Sequence, residues 1–209
     1  MPFLDRAHAA RFLVDRLAGC RGGNPLVLAI PRGAVPIGRV LADALHGELD
    51  VILVRKLGAP GNPELAVGAV DETGDMRIAK YAASVGADEA YLQAEAARQL
   101  ARIREQRRLY GGGREPVDPH GRLVIVVDDG LATGATMAVA LASVRRCAPS
   151  HLICAVPVAS VEALARVAAL ADEVVCLATP ADFSSVGAHY LQFEQVEDAE
   201  VVATLSDRR

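Results

Sequence analysis

The chain has 209 residues, 23% of them charged and 52% apolar, with a net charge of -4. That length holds one α/β domain with a substantial core and is short for two, and mild acidity gives no global field for nucleic acid or an anionic membrane surface. No apolar run reaches the ~18 residues of a membrane span, and Met1 to Arg6 lack the basic and apolar regions of a secretory leader, so a cytoplasmic protein is expected.

Asp5 stands where a helix cap is wanted, because Ala9, Phe12, Leu13 and Leu17 follow at helical spacing and the stretch Gly19 to Asn24 ends the pattern. Leu26 to Ile30 reads as a short aliphatic strand running into Pro31-Arg32-Gly33-Ala34-Val35-Pro36. Ile37, Val40, Leu41, Ala44 and Leu45 then repeat with the period of an amphipathic helix. At such a helix start Arg32 and Gly33 suit an anion, with backbone amides and a guanidinium fork both donating; an arginine on a plain connecting loop is the other reading. Asp50 to Val54 is predicted as the next strand. It delivers Arg55, Lys56 and a Gly/Pro stretch to Glu64, where the adjacent cations either neutralise an anion or decorate a surface strand end.

Leu65 to Val70 and Met76 to Ala79 flank Asp71-Glu72-Thr73-Gly74-Asp75, the pattern of a β-hairpin; Asp71 and Glu72 are solvated turn residues or, less simply, metal ligands. From Asp88 to about Arg108 a long helix is predicted, with Leu92, Ala96, Leu100 and Ile103 on one stripe. Its arginines alternate with Glu95 and Glu105, as on a solvated face. RNA would want aromatic rings to stack its bases, and only 4% of the chain is aromatic. The stretch Gly111 to Pro116 is expected to be mobile.

Leu123 to Val127 is an uninterrupted aliphatic run, as in a strand buried on both faces of a parallel sheet. Asp128 and Asp129 end it, and Gly130, Leu131, Ala132, Thr133, Gly134, Ala135 and Thr136 lead into a helix striped by Met137, Ala140, Leu141 and Val144. His151 to Val156 and Glu173 to Leu177 are further strands, and Ser160 caps the helix between them. The alternation predicts a doubly wound, mainly parallel sheet flanked by helices, which binds ligands at the carboxyl ends of its strands. The Thr/Gly loop before a helix suits a phosphate. The two carboxylates would repel one and suit neutral hydroxyls or a hydrated Mg2+. A ribose 5-phosphate meets both demands.

The segment Thr179 to Phe193 concentrates aromatic residues; Phe183 could stack on a heterocyclic base or belong to a satellite cluster sealing the sheet edge. The cysteines, at 20, 147, 154 and 176, have no Cys-x-x-Cys spacing and are expected to be buried free thiols. The five histidines show no metal-binding spacing.

Val124 to Met137, VIVVDDGLATGATM, resembles the signature of the type I phosphoribosyltransferases, and within them the adenine phosphoribosyltransferase pattern. The resemblance implies a substrate, phosphoribosyl pyrophosphate (PRPP), a cofactor, Mg2+ carried by that substrate and met by Asp128 and Asp129, and transfer of the phosphoribosyl group to a purine- or pyrimidine-like base with release of pyrophosphate. It assigns the 5-phosphate to Gly130 through Thr136 and the pyrophosphate to Arg32, Gly33, Arg55 and Lys56, with Asp128, Asp129, Arg55 and Lys56 as catalytic residues and Phe183 near the base. Ala34 stands where many members have a second glycine. Ala132 stands where 6-oxopurine enzymes are acidic, which argues against that substrate class. One domain over 1–209 is implied, with a core of about 25–57 and 120–178, an excursion of about 58–119 carrying a flexible loop at Gly58 to Pro63, and a small hood from 1–24 and 179–209. Dimers are usual in the resembled family. A PRPP or nucleotide sensor of the same fold is the alternative; a dinucleotide oxidoreductase lacks its Gly-x-Gly-x-x-Gly, and a serine hydrolase lacks its Gly-x-Ser-x-Gly.

Overall fold

The computed structural model describes residues 2–111 and 115–206. In chain order these form α1 (Arg6–Arg16), β1 (Leu26–Ala29), α2 (Val35–Leu45), β2 (Glu48–Val51), β3 (Val54–Ala59), β4 (Asn62–Asp71), β5 (Met76–Ile78) and α3 (Glu89–Gly111). They continue with β6 (Leu123–Val127), α4 (Ala135–Arg146), β7 (His151–Val158), α5 (Val161–Val167), β8 (Glu173–Ala178) and α6 (Asp198–Ser206). Of the stretch read as mobile, residues 112–114 lie outside the described residues.

The chain divides into two compact units, residues 2–52 with 115–206, and residues 53–111. The larger is built on a five-stranded parallel sheet of order β2-β1-β6-β7-β8. From β1 the chain crosses to one side through α2 and from β6 to the other through α4. Right-handed crossovers in opposite directions place those helices on opposite faces, and α1 and α6 both pack on α2 while α4 packs with α5. Between two helical layers the central strands have no solvated face, so β1 is buried throughout and Val124 to Val127 are 0% exposed. This is why those strands read as continuous aliphatic runs.

The predicted caps form as expected. Asp5 accepts a hydrogen bond from the His8 amide at 2.6 Å, and the Ser160 hydroxyl accepts from the Ala163 amide at 3.0 Å. Asp50 is buried in β2 and its two oxygens accept from the amides of Val51 and Val117, at 2.8 and 3.0 Å. All four cysteines are free, Cys154 buried and the others half-buried.

One predicted strand is divided. The reading of Asp50 to Val54 as a single strand delivering Arg55 and Lys56 is corrected: β2 ends at Val51, and β3, with Arg55 and Lys56 inside it, belongs to the smaller unit. There the Leu53 amide donates to Glu72 Oε1 at 3.0 Å instead of extending a ladder. β3, β4 and β5 form an antiparallel sheet, and α3 packs on β3 and β4. The expected hairpin around Asp71 to Asp75 is the β4–β5 turn, where Asp71 Oδ1 accepts from the Thr73 and Asp75 amides. The segment read as a flexible loop, Gly58 to Pro63, is the tip of the β3–β4 hairpin. Gly58 is needed there because a Cβ would lie 2.7 Å from Pro63 Cα.

Helix α2 meets the sheet through Gly38, where a Cβ would lie 2.8 Å from Leu49 Cδ1 and 3.1 Å from Ala29 Cβ. Gly38→Val adds volume to a contact that is already closed. The variant is expected to lose about 1–3 kcal/mol of stability, measured as an earlier midpoint in urea with an unchanged slope.

Candidate active site

The strand order reverses direction between β1 and β6, and the loops leaving their carboxyl ends diverge to opposite faces. A crevice at such a switch point is where open α/β sheets bind ligands. Two of the three stretches predicted to carry chemistry leave from these two strands. Ile30 still donates to the Val127 carbonyl at 3.0 Å, so the strands remain paired up to the point where Pro31 and Asp128 begin the loops.

The first loop brings Gly33 against the second. A Cβ at Gly33 would lie 2.1 Å from Asp129 Oδ2. No side chain fits, so this glycine is fixed by the carboxylate beside it. The Pro31–Arg32 peptide is cis. Arg32, about one-third exposed, faces Glu197 Oε2 at 3.6 Å and Asp198 Oδ1 at 3.8 Å.

Asp128 and Asp129 sit at the end of a strand that water does not reach. Asp128 Oδ1 accepts the Asp129 amide at 2.9 Å. Burial pushes the Asp128 carboxyl well above the usual carboxylate range, and the neighbouring Asp129 charge raises it further. Burial raises Asp129 as well, against the opposing hydrogen bond and charge of Arg6. Arg6 donates to Asp129 Oδ2 from Nε at 3.0 Å and from Nη2 at 2.9 Å. Its Nη1 donates to the Glu194 carbonyl at 2.7 Å, and its guanidinium carbon lies 3.9 Å from the centroid of the Phe193 ring. The Tyr190 hydroxyl donates to the Asp129 carbonyl at 2.7 Å, and burial raises its phenol. No other side chain among the described residues hydrogen-bonds to the second oxygen of either carboxylate.

The rest of the second loop is tied down from behind. Leu131 donates to the Val158 carbonyl at 2.9 Å, the Ser160 hydroxyl donates to the Ala132 carbonyl at 2.8 Å, and Ser160 returns an amide to Leu131 at 3.0 Å. Gly134 takes φ 70° as the N-cap of α4, and a Cβ there would lie 3.0 Å from the Ala163 carbonyl oxygen. The Thr133 hydroxyl accepts from Ala135 at 3.4 Å. Ala132 and Thr133 are exposed, while Ala135 and Thr136 are half-buried. An open Thr/Gly loop therefore stands before a helix whose first-turn amides point toward it, an arrangement that binds anions. Gly130 has a different cause: a Cβ would lie 2.6 Å from Val186 Cγ1, so it accommodates a covering segment.

Several of the sequence-predicted residues are thus gathered at the carboxyl ends of β1 and β6: Arg32, Gly33, Asp128, Asp129 and the loop to Thr136. Arg55 and Lys56 lie in the smaller unit, where Arg55 Nη2 donates to Gln106 Oε1 at 3.0 Å and Lys56 is exposed. Phe183 is half-buried, stacked on His189 with centroids 5.4 Å apart, in the cluster of Ala9, Val158 and Tyr190. Among the described residues no group of three or more His, Cys, Asp and Glu is placed to hold a metal ion. Two adjacent carboxylates fit instead a hydrated cation that arrives on its ligand. Reading the sequence did not find Arg6, Tyr190, Phe193 or Glu194 as site residues. The aromatic crowding before residue 194 was the available signal; nothing local marks an arginine 123 residues from its partner.

A family model described as a phosphoribosyl transferase domain matches residues 4–192. Two Mycobacterium tuberculosis proteins, Rv0571c of strain H37Rv and MT0597 of strain CDC 1551, both provisionally named phosphoribosyl transferases, are each 42% identical over 205 residues. Those alignments cover 97% of this chain and 46% of each relative, so the chain spans about half the length of the curated relatives it matches. The crystal structure of TT1426 from Thermus thermophilus is 48% identical, covers 98% of both chains and superposes with a TM-score of 0.87.

Because the Asp128 carboxyl is raised on folding, the folded chain holds more protons than the unfolded one from the ordinary carboxylate range of about 4 up to the raised value. Stability therefore falls as pH rises through that window. Asp128→Asn keeps an oxygen for the Asp129 amide and removes the titrating group. It is expected to melt above the parent at pH 7, by about 2–4 °C for each kcal/mol relieved, and level with it at pH 3, which paired thermal melts would read.

Proposed function

The chain belongs to the phosphoribosyl transferase family, and we propose that it transfers the 5-phosphoribosyl group of PRPP to a nitrogen heterocycle with release of pyrophosphate. One observation carries this reading: two carboxylates and an open Thr/Gly loop fronting α4 lie side by side at the switch point, with the arginine loop after β1 packed against them. A phosphate and a vicinal diol on one small molecule match that pair of demands.

In the proposed complex Thr133, Thr136 and the leading amides of α4 hold the 5-phosphate, within the loop Gly130 to Thr136. The free oxygens of Asp128 and Asp129 accept the two ribose hydroxyls. Arg32 takes the pyrophosphate in place of Glu197 and Asp198, an exchange that costs little because exposed ion pairs contribute little. Gly33 keeps that loop close enough for one ligand to reach both. Mg2+ bound to the substrate would meet Asp128 and Asp129 and add positive charge against the leaving group. As the C1–O bond lengthens and the ribose becomes oxocarbenium-like, the fixed cations stabilise charge developing on pyrophosphate, and the base nitrogen attacks C1 from the opposite face. Arg55 and Lys56 are proposed as further cations for pyrophosphate on their chemistry alone. Ala132 offers no acid for a 6-oxopurine, so the acceptor is proposed to be a heterocycle that needs none there, with Phe183 as the candidate beside it.

Pyrophosphate release from PRPP and Mg2+, measured across a panel of purines, pyrimidines and azoles, tests the reading. Release is expected to depend on one base, to fall by at least about 100-fold in Asp128→Asn/Asp129→Asn, and to need about ten times more PRPP in Arg32→Ala. Binding of PRPP with no release for any base would point to a sensor, and no binding at all would sink the proposal.

A further inference from the structure

We propose that Arg6, at the start of α1, is a positioning residue of this site: it fixes the Asp129 carboxylate by one oxygen and leaves the other, beside Asp128, presented to the ribose hydroxyls. The inference rests on the phosphoribosyl reading and extends it to a helix that the phosphate loop and the arginine loop do not include.

The geometry is that of a clamp with no loose end. Nε and Nη2 both converge on Oδ2 of Asp129, Nη1 is spent on the Glu194 carbonyl, and the flat face rests on Phe193. The side chains of Arg6 and Asp129 are only 12% and 16% exposed. Arg6 therefore cannot swing away as a surface arginine does, and the carboxylate it grips cannot rotate. Asp129 is held from two further directions, by Tyr190 on its carbonyl and by the close approach of Gly33. Gly33 packs close against the Oδ2 side. Oδ1 of Asp129 and Oδ2 of Asp128 are the oxygens without a side-chain partner among the described residues, one on each of two adjacent residues. Two hydroxyls on neighbouring ribose carbons ask for two such acceptors.

Arg6 also supplies the cation that two neighbouring buried carboxylates require. Lysine could supply that charge but not the fork: a guanidinium donates two N–H groups in a fixed plane and stacks by its face, and an ammonium does neither.

The chain ends are what bring Arg6 here. Phe3 donates to the His189 carbonyl at 2.8 Å, Leu191 donates to Phe3 at 2.8 Å and Gln192 to Leu4 at 2.9 Å. These bonds set the start of α1 against the segment carrying Tyr190, Phe193 and Glu194.

Calorimetry with three probes separates positioning from mere support: PRPP with Mg2+, ribose 5-phosphate, and inorganic pyrophosphate without metal. In Arg6→Ala the first two are expected to bind about 10- to 100-fold more weakly, while pyrophosphate, which has no diol, binds as in the parent. Arg6→Lys is expected to recover part of the loss, and Phe12→Leu, which removes a ring packed on Phe3 and His8 and leaves the ion pair and its cover untouched, to bind all three as the parent does. Equal weakening of all three probes in Arg6→Ala, or a Phe12→Leu variant as weak as Arg6→Ala, would mean that Arg6 only holds the chain ends together and would overturn the inference alone. Should Arg6→Ala fail to fold by circular dichroism, Arg6→Lys decides by the same contrast between diol-bearing probes and pyrophosphate. A parent protein that binds none of the three removes the phosphoribosyl reading, and this inference falls with it.

Discussion

A carboxylate at the end of a strand buried on both faces needs an opposite charge, and Asp129 receives it from Arg6, 123 residues earlier in the chain. The desolvation of such a group costs several kcal/mol unless it is paired and fully hydrogen-bonded. Much of the surrounding structure follows from that requirement. Arg6 has to be buried to do it, so its other nitrogen needs the Glu194 carbonyl and its face needs Phe193. Phe193 in turn stacks on Tyr190 with centroids 4.9 Å apart, and the Tyr190 hydroxyl reaches back to the Asp129 carbonyl. The segments carrying Arg6 and Tyr190 converge on one aspartate and are held to each other by the backbone bonds of Phe3, Leu191 and Gln192.

The same logic explains which parts of the protein could be read from its sequence. Core strands between two helical layers are aliphatic throughout because they have no wet face, so Leu123 to Val127 was legible, and the helices were legible from their apolar stripes and from Asp5 and Ser160 at their starts. Asp128, Asp129 and the Thr/Gly loop were legible because strand end, loop and helix start are contiguous. The division between Val51 and Val54 was not. Apolar residues continue from Val51 to Val54, and only the partner of the Leu53 amide, Glu72 in the smaller unit, ends one ladder and starts another. The hairpin tip at Gly58 to Pro63 carries the Gly/Pro composition of a loop, and composition does not distinguish a two-residue turn from a longer excursion. Helix α6 was missed, since Asp198 to Ser206 is short and buries only Val201 and Leu205 among its apolar residues. Arg6 was missed because a long-range ion pair leaves no local periodicity.

The glycines divide by cause. Gly134 combines a positive φ with the close passage of Ala163, so it shapes the turn into α4. Gly33 and Gly130 are set by neighbours instead, the Asp129 carboxylate for one and Val186 for the other. A phosphate loop read from sequence treats its glycines as room for a ligand; at Gly130 the room is already filled by the chain's own cover.

The two charged contacts made by the chain ends differ in kind. Arg32 meets Glu197 and Asp198 at 3.6 and 3.8 Å with all three side chains at least one-third exposed, so solvent screens the pairs and another anion can replace the carboxylates at little cost. Arg6 meets Asp129 at 2.9 Å with both partners largely buried, and parting them would strand an uncompensated charge, which costs about 3–5 kcal/mol. An anionic ligand entering the crevice therefore has a soft contact to exchange and a hard one to leave in place. On the proposed function, the loop bearing Arg32 is the part that changes partners and the loop bearing Asp129 is the fixed part.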